Sequence, residues 1–203
     1  NIKRARVLVT ALLCLFLSLN FLLTVNRSLD YRSEVSLWKD TAEKSPKKAL
    51  VHNNLATAYM GAKMFREAER ELAVSLQLIP TQSDAYANLG HIHFHNKNWT
   101  QAIEELSWAI TLGSEKPDTY YFLGLAWSRQ GANLKAIPFL QQAVSIRPYK
   151  AHYHFHLGNA YRLSKYFDEA LQEYRKTMKI QPEHVQAQNN IGVIFLILEA
   201  LNV

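Results

Sequence analysis

The sequence predicts an all-α protein in which helix hairpins stack as a solenoid, preceded by one membrane-spanning helix. Two patterns indicate this architecture: a run of 20 uncharged residues near the N-terminus, and an apolar motif that recurs at a constant interval through the rest of the chain. Six Pro and seven Gly among 203 residues leave few breakers for the frequent turns of an all-β chain. With 48% hydrophobic residues, the chain has ample material for a packed core.

The uncharged run covers residues 7–26 and lies between Arg6 and Arg27. A helix of this length measures about 30 Å, the thickness of one hydrocarbon core, so the run predicts a transmembrane helix. A cleavable signal peptide would need a small-residue cleavage site after the run, and a lipoprotein signal would need a smaller residue than Leu13 before Cys14. Both alternatives are therefore disfavoured.

The formal net charge of +6 is concentrated around the uncharged run. Residues 1–48 carry nine Lys or Arg and four Asp or Glu, a net of +5, whereas residues 49–203 carry 14 basic and 13 acidic residues, a net of +1. The basic excess would meet anionic lipid head groups, and the remainder offers no basic surface for nucleic acid. The positive cluster in residues 1–6 favours a cytoplasmic N-terminus, which predicts a periplasmic, extracytoplasmic or lumenal location for the rest of the chain.

Three series of residues share a period of 34. They are the anchors Leu55, Leu89, Leu123, Leu157 and Ile191; the alanines that follow the first four anchors at a constant spacing, Ala68, Ala102, Ala136 and Ala170; and large apolar residues four positions later, Leu72, Leu106, Leu140 and Tyr174. Each period holds two apolar-periodic stretches joined by a short turn, which predicts two helices. The pattern resembles the tetratricopeptide repeat over residues 49–203, and this resemblance implies stacked helix hairpins.

The period divides the chain into predicted segments. They are a basic flank at 1–6, the transmembrane helix at 7–26, a linker with a capping helix at 27–48, four repeats at 49–82, 83–116, 117–150 and 151–184, and the first helix of a fifth repeat at 185–203. At Ser114 the closing proline of the repeat is absent and Pro117 follows instead, so we expect a different turn there. The pattern stops before the second helix of the fifth repeat, so more chain or a partner is expected to cover residues 191–198.

The resemblance to tetratricopeptide arrays implies that the first helix of each repeat lines a concave groove that binds a protein partner. The implied groove residues are aromatic, amide-bearing or basic: Asn53, Asn54, Thr57, Asn88, His91, His95, Tyr121, Phe122, Arg129, His152, Phe155, His156, Asn159 and Arg162. One asparagine place recurs in three of the units, as in arrays whose asparagines bond the backbone of an extended peptide. The alternative is that the groove packs against another subunit.

Two histidine-rich strings, HIHFH at 91–95 and HYHFH at 152–156, raise the question of a metal site. On a helix only the outer pair of each string shares a face, so each string offers two ligands where zinc needs three or four. His93 and His154 fall at positions where the two helices of a hairpin pack against each other, so a buried and hydrogen-bonded imidazole is expected at each. The sequence therefore predicts no metal and no cofactor, and it contains no arrangement of catalytic residues.

Residues 191–198 have no polar face, and Val193, Leu196 and Ile197 fall where a groove or an outer surface is expected, which predicts a C-terminal contact surface. Two functions remain open. The favoured one is a membrane-anchored, non-enzymatic scaffold that binds protein partners as an accessory or assembly subunit of a membrane complex. The alternative rests on residues 31–59, which are similar to the junction in transmembrane-and-tetratricopeptide proteins. That resemblance implies the C-terminal arm of a protein O-mannosyltransferase-like enzyme whose catalytic part lies upstream.

Overall fold

The computed structural model describes residues 12–13, 15–21 and 33–201, and every regular element in these ranges is a helix. The first two ranges are helical and belong to the predicted membrane span at 7–26, the rest of which lies outside the described residues, as does the basic flank at 1–6. Across the described ranges, no helix has both the length and the apolar character needed to cross a membrane. The all-α fold class is therefore confirmed, and the membrane span stays a prediction.

The chain divides into two compact units, residues 1–78 and 79–203. The first contains α1 (Glu34–Lys44), α2 (Ala49–Gly61) and α3 (Phe65–Leu78). A capping box begins α1, because the Ser33 hydroxyl accepts from the backbone N–H of Ser36 at 3.1 Å while the Ser36 hydroxyl bonds back to Ser33. Half-buried Trp38 packs α1 against Leu55 of α2, and α2 and α3 form a hairpin.

The second unit contains three hairpins followed by one more helix. Its helices are α4 (Ser83–His95), α5 (Trp99–Thr111), α6 (Pro117–Arg129), α7 (Asn133–Ile146), α8 (Ala151–Leu163), α9 (Phe167–Ile180) and α10 (Val185–Leu201). The helices pair as α4 with α5, α6 with α7 and α8 with α9, and α10 packs on α9. The first helices α4, α6 and α8 also contact one another in sequence, so their outward sides form one surface.

Small residues let the two helices of each hairpin approach closely. The periodic alanines and their large partners are all fully buried: Ala68, Ala102, Ala136, Ala170, Leu72, Leu106, Leu140 and Tyr174. A Cβ atom added at Gly124 would lie 2.6 Å from Cγ of Leu140 and 3.2 Å from the backbone oxygen of Ala136. The equivalent Cβ positions in the hairpins on either side lie 2.4 and 2.8 Å from a large side chain. At the observed separation of the two helices, only glycine at these positions leaves room for the large side chain of the second helix.

One turn geometry joins the two helices in all four hairpins. A residue with positive φ recurs with the period of the repeat, at Lys63, Lys97, Gly131 and Lys165. In the α4–α5 turn, the N–H of Lys97 donates to the carbonyl of Phe94 at 3.1 Å, and the N–H of Asn98 donates to the carbonyl of His93 at 2.8 Å. These bonds satisfy the last carbonyls of the first helix, as expected at a helix end with a left-handed residue.

The turn between α5 and α6 differs from the other turns, as the missing proline predicts. Gly113 has a φ of 90°, and the N–H of Ser114 donates to the carbonyl of Ala109 at 2.9 Å. Pro117 then begins α6, a position where its missing N–H costs nothing. Ser114 is buried, and its hydroxyl forms a hydrogen bond of 3.1 Å with that of Thr119. This side-chain contact stands at the position that proline occupies in the other turns between repeats.

Candidate functional site

Aromatic and histidine rings from α4, α6 and α8 form a connected series in the second unit. The ring of His91 on α4 lies 4.4 Å from that of Phe122 on α6, measured between centroids. Tyr121, 5.3 Å from Phe122, lies 5.3 Å from His152 and 5.6 Å from His156 on α8. Ring pairs at these distances attract one another. The structure therefore brings five of the predicted groove residues into contact, and we call His91, Tyr121, Phe122, His152 and His156 the ring series.

The members of the ring series differ in what they can offer to a ligand. His152 is exposed, while His91, Phe122 and His156 are half-buried. Tyr121 is only 8% exposed and stacks on Tyr153 at 4.7 Å, so it supports the neighbouring histidines and presents little surface of its own.

Burial sets the charge of the ring series. It lowers the pKa of His91 to about 4, against the opposing effect of Asp118. It also lowers the pKa of His156 to about 4, and the positive charge of Arg129 adds to that shift. Both imidazoles are therefore neutral near pH 7 and act as polar aromatic surfaces.

Arg129 lies at the C-terminal end of α6, between two cavities of about 440 and 160 Å³. The larger is lined by Phe94, His95, Lys97, Trp99 and Arg129, and the smaller by Leu125, Ser128, Arg129, Asn133, His156, Asn159, Ala160 and Leu163. Within the described parts of the chain, no carboxylate lies at ion-pair distance from the Arg129 guanidinium. The side chain is exposed, so its charge is available to a ligand.

Several predicted amides make internal hydrogen bonds. The Asn159 side-chain oxygen accepts from the hydroxyl of Tyr174 at 2.7 Å and from the amide of Asn190 at 2.8 Å. Asn190 occupies the asparagine position that recurs in three of the repeats. Its side-chain amide donates to Asn159 of this chain and is therefore already used within the protein. Arg162 is half-buried beside Tyr174.

The remaining groove candidates are spread over both units. Asn53, Asn54 and Thr57 lie on α2 in the first unit, where Asn53 is buried and the Thr57 hydroxyl donates to its carbonyl at 3.0 Å. In the second unit, Asn88 is half-buried on α4, and Phe155 on α8 lies 4.6 Å from the ring of His184.

Of the two histidines expected at hairpin-packing places, His154 is buried and bonded through both ring nitrogens, to Glu173 at 2.5 Å and to the carbonyl of Pro148 at 2.9 Å. His93 is half-buried, and its Nδ1 atom has no hydrogen-bond partner among the described residues. In the same part of the chain, no three His, Cys, Asp or Glu side chains are grouped to hold a metal ion. The bond from His154 to Glu173 was not predicted from the sequence, although the same spacing of histidine and glutamate occurs in the first repeat.

The predicted C-terminal contact surface lies on α10. Val193 is 40% and Leu196 67% exposed, whereas Ile197 is half-buried. Ile194 between them is fully buried against a cluster that includes Tyr174 of α9. Two of the three predicted contact residues therefore face outward.

Comparison with known families identifies the repeats. Residues 88–151 and 151–184 each match a family model of the tetratricopeptide repeat, which confirms the repeats in this part of the chain. Proteins built from such repeats typically mediate protein–protein interactions and are generally non-catalytic scaffolds. No curated protein matches the chain.

Three solved structures illustrate the likeness of fold. YrrB, described as a TPR protein with an unusual peptide-binding site, is 23% identical with a TM-score of 0.75, over 80% of this chain and 84% of YrrB. MamA is 26% identical with a TM-score of 0.65, over 75% of this chain and 89% of MamA. TTC0263 from Thermus thermophilus is 17% identical with a TM-score of 0.60, over 80% of this chain and 89% of that protein. These similarities support an all-α tetratricopeptide solenoid.

Proposed function

We propose that the tetratricopeptide repeats of this chain bind an extended segment of a partner protein along the surface of α4, α6 and α8. The observation that carries this proposal is the ring series, which joins neighbouring first helices through contacts between His91 and Phe122 and between Tyr121 and His156. Aromatic and histidine surfaces of this kind bury apolar area while offering polar edges, a combination typical of peptide-binding sites. The unusual peptide-binding site ascribed to YrrB is consistent with this role.

The surroundings of Arg129 indicate which peptide would fit. Its guanidinium can take a carboxylate through two parallel hydrogen bonds, and Lys97 adds a second positive charge to the same cavity. Phe94 and Trp99, whose rings lie 5.0 Å apart, give that cavity an apolar part. The favoured ligand is therefore an extended peptide in which an acidic residue stands beside an aromatic or aliphatic one.

Two synthetic nonapeptide pools test this proposal, one with a fixed Glu-Phe pair and one with Gln-Phe, the other positions being randomised. We expect the chain to bind the Glu-Phe pool more tightly in fluorescence anisotropy. The Arg129→Gln variant should lose about tenfold in affinity, the scale of one charged hydrogen bond. Arg175→Gln, at an exposed position on α9, is the matched control. Binding of neither pool would contradict the peptide-binding role, whereas full affinity of Arg129→Gln would contradict only the role of Arg129.

We further propose that residues 7–26 anchor the repeats to a membrane, with the repeats on its extracytoplasmic side, as an accessory or assembly subunit without catalytic activity of its own. The support is the uncharged run of 20 residues between two arginines. The full chain should then stay in the membrane pellet during alkaline carbonate extraction, and a chain lacking residues 1–26 should not. Release of the full chain would contradict the anchor. The enzyme-arm alternative rests on the resemblance of residues 31–59 alone.

A further inference from the structure

A cavity of about 550 Å³ lies between the second helices α7 and α9 of the last two hairpins. Its wall is mainly apolar and includes two lysines: Val144, Pro148, Tyr149, Ile180, Lys176 and Lys179. All of its lining residues belong to α7, α8, α9 or the turn between α7 and α8, so the cavity does not depend on α10. None of the predicted groove residues lines it. Its volume suits a small organic ligand.

Smaller or charged residues border this cavity where an earlier repeat has an aromatic pair. Tyr86 and Trp108 occupy the positions of His154 and Lys176 two repeats earlier, and their ring centroids lie 6.4 Å apart. In the fourth repeat both ring nitrogens of His154 are bonded within the protein, one of them to Glu173. The imidazole is smaller than the tyrosine ring, and the ammonium of Lys176 bonds the same carboxylate. The space beside these two side chains therefore remains open.

The charge on the cavity wall is positive, because no Asp or Glu lines the cavity. Lys176 donates to Oε1 of Glu173 at 2.7 Å, and Oε2 of that carboxylate bonds His154, so both oxygens are already engaged. Lys179 is exposed, and within the described residues no carboxylate lies at ion-pair distance from its ammonium. Threonine and serine occupy its position in the two preceding repeats, so the cation distinguishes the fourth repeat.

We propose that this cavity binds a small amphipathic anion, a molecule with one carboxylate and a compact aromatic or branched aliphatic body. The body packs among Val144, Pro148 and Ile180, and it covers part of the ring of Tyr149, which is 85% exposed. The carboxylate accepts a hydrogen bond from the ammonium of Lys179. A lysine ammonium is a compact point charge, and one such charge without a protein carboxylate matches a ligand with a single negative charge. Walls from three helices favour a compact ligand over an extended chain.

Two probes test the site: para-benzoylbenzoate, a compact aromatic carboxylate, and para-benzoylbenzamide, its uncharged counterpart. Titration calorimetry of the full chain in nanodiscs of zwitterionic lipid, with empty nanodiscs as the reference, should show about tenfold tighter binding of the acid, the scale of one charged hydrogen bond. Lys179→Gln should abolish that preference. Arg175→Gln, at an exposed position of α9 that does not line the cavity, is the matched control and should keep it. Binding of neither probe, equal binding of both, or an unchanged preference in Lys179→Gln would overturn the proposal.

Photolabelling with the same carboxylate locates the site in the wild-type chain and does not depend on the stability of a variant. On irradiation the benzophenone carbonyl inserts into a nearby C–H bond, and mass spectrometry of the proteolysed chain identifies the labelled segment. We expect the label within residues 144–154 or 176–180. Ser145→Trp, which places an indole on the cavity wall at an exposed position, should lose most of this label. A label that spares both segments, or full labelling of Ser145→Trp, would overturn binding in this cavity.

Discussion

Nδ1 of His154 lies 2.5 Å from Oε2 of Glu173, and Nε2 of the same ring lies 2.9 Å from the carbonyl oxygen of Pro148. Both partners are hydrogen-bond acceptors, so the imidazole satisfies both only when both of its nitrogens carry protons. Burial opposes that charge, but the two hydrogen bonds outweigh it and raise the pKa of His154. One side chain thus fastens the start of α8 both to α9 and to the turn that follows α7.

The same arrangement occurs in the first unit, three periods of the repeat earlier. Nδ1 of His52 lies 2.7 Å from Oε2 of Glu71, and Nε2 lies 2.9 Å from the carbonyl oxygen of Pro46. The Ser75 hydroxyl adds a bond of 2.8 Å to the carbonyl of Ala49, at the start of α2. In both places a histidine near the start of a first helix therefore ties that helix to the second helix of its hairpin.

We expect Glu173→Gln to destabilise the second unit most strongly in mildly acidic solution. Because the pKa of His154 is raised, its charged imidazole stabilises the folded state. This stabilisation is complete below the unfolded pKa of 6.5 and is lost as the pH rises through the folded pKa. Burial favours a raised pKa for Glu173, but bonds from His154 and Lys176 outweigh it and lower that pKa. The stability from Glu173 is therefore present above the unfolded value of 4.5 and is lost as pH falls.

The pair is thus most stabilising between these two values, and Glu173→Gln should lower the free energy of unfolding by about 1–3 kcal/mol at pH 6. The loss should be smaller at pH 9, as measured by urea denaturation at both pH values. Glu169→Gln, at an exposed position one turn earlier on α9, is the control and should change little. An equal loss at both pH values would show that the histidine is not charged in the folded protein.

We expect the second unit to lose stability as pH falls from 6.5 towards 4. The pKa of His156 is lowered to about 4 by burial and by neighbouring positive charge, so the unfolded chain takes up this proton first. The stability lost over that interval amounts to about 3 kcal/mol for one such group. His156→Gln, and independently His91→Gln, should therefore flatten the pH dependence of the unfolding free energy. A wild-type curve that is already flat in this interval would contradict the prediction.

Gly124→Ala should lower the free energy of unfolding of the second unit by about 1–3 kcal/mol, because the added methyl group would overlap Leu140 and crowd the backbone of Ala136. Gly61→Ala, where no atom lies within 4 Å, is the matched control. It should raise stability by up to about 1 kcal/mol through helix propensity. Urea denaturation followed by circular dichroism distinguishes the two, and a neutral Gly124→Ala would show that the hairpin can open at no cost.

Lys97→Gly should stabilise the turn between α4 and α5. Lys97 has a φ of 62°, a left-handed conformation that costs a residue with a Cβ atom about 1 kcal/mol, and glycine already occupies the equivalent position 131. Part of this gain is offset by the greater freedom of glycine in the unfolded chain. We expect a net gain of a few tenths to about 1 kcal/mol in thermal unfolding. Lys135→Gly, within α7, should instead destabilise by about 1 kcal/mol.

Part of the candidate site can be read from the sequence, because a helix repeats its faces on a period that residue spacing reveals. Spacing assigns His91, Phe122 and His156 to one surface, and the structure brings them into the ring series. Periodicity gives the direction of a side chain but not its depth. It therefore predicts that Tyr121 lines the groove, although Tyr153 stacks on this ring and leaves it 8% exposed.

The sequence by itself determined the repeating helix hairpin, because close helix packing demands a small residue facing a large one in every unit of the array, as at Gly124 and Leu140. Only the tertiary structure decided which polar groups are used internally and which remain available. The pairing of Asn159 with Asn190 and the bond from His154 to Glu173 depend on where neighbouring helices place their atoms. A hydrogen bond is a relation between two elements in space, and the spacing of residues along one helix does not contain that distance.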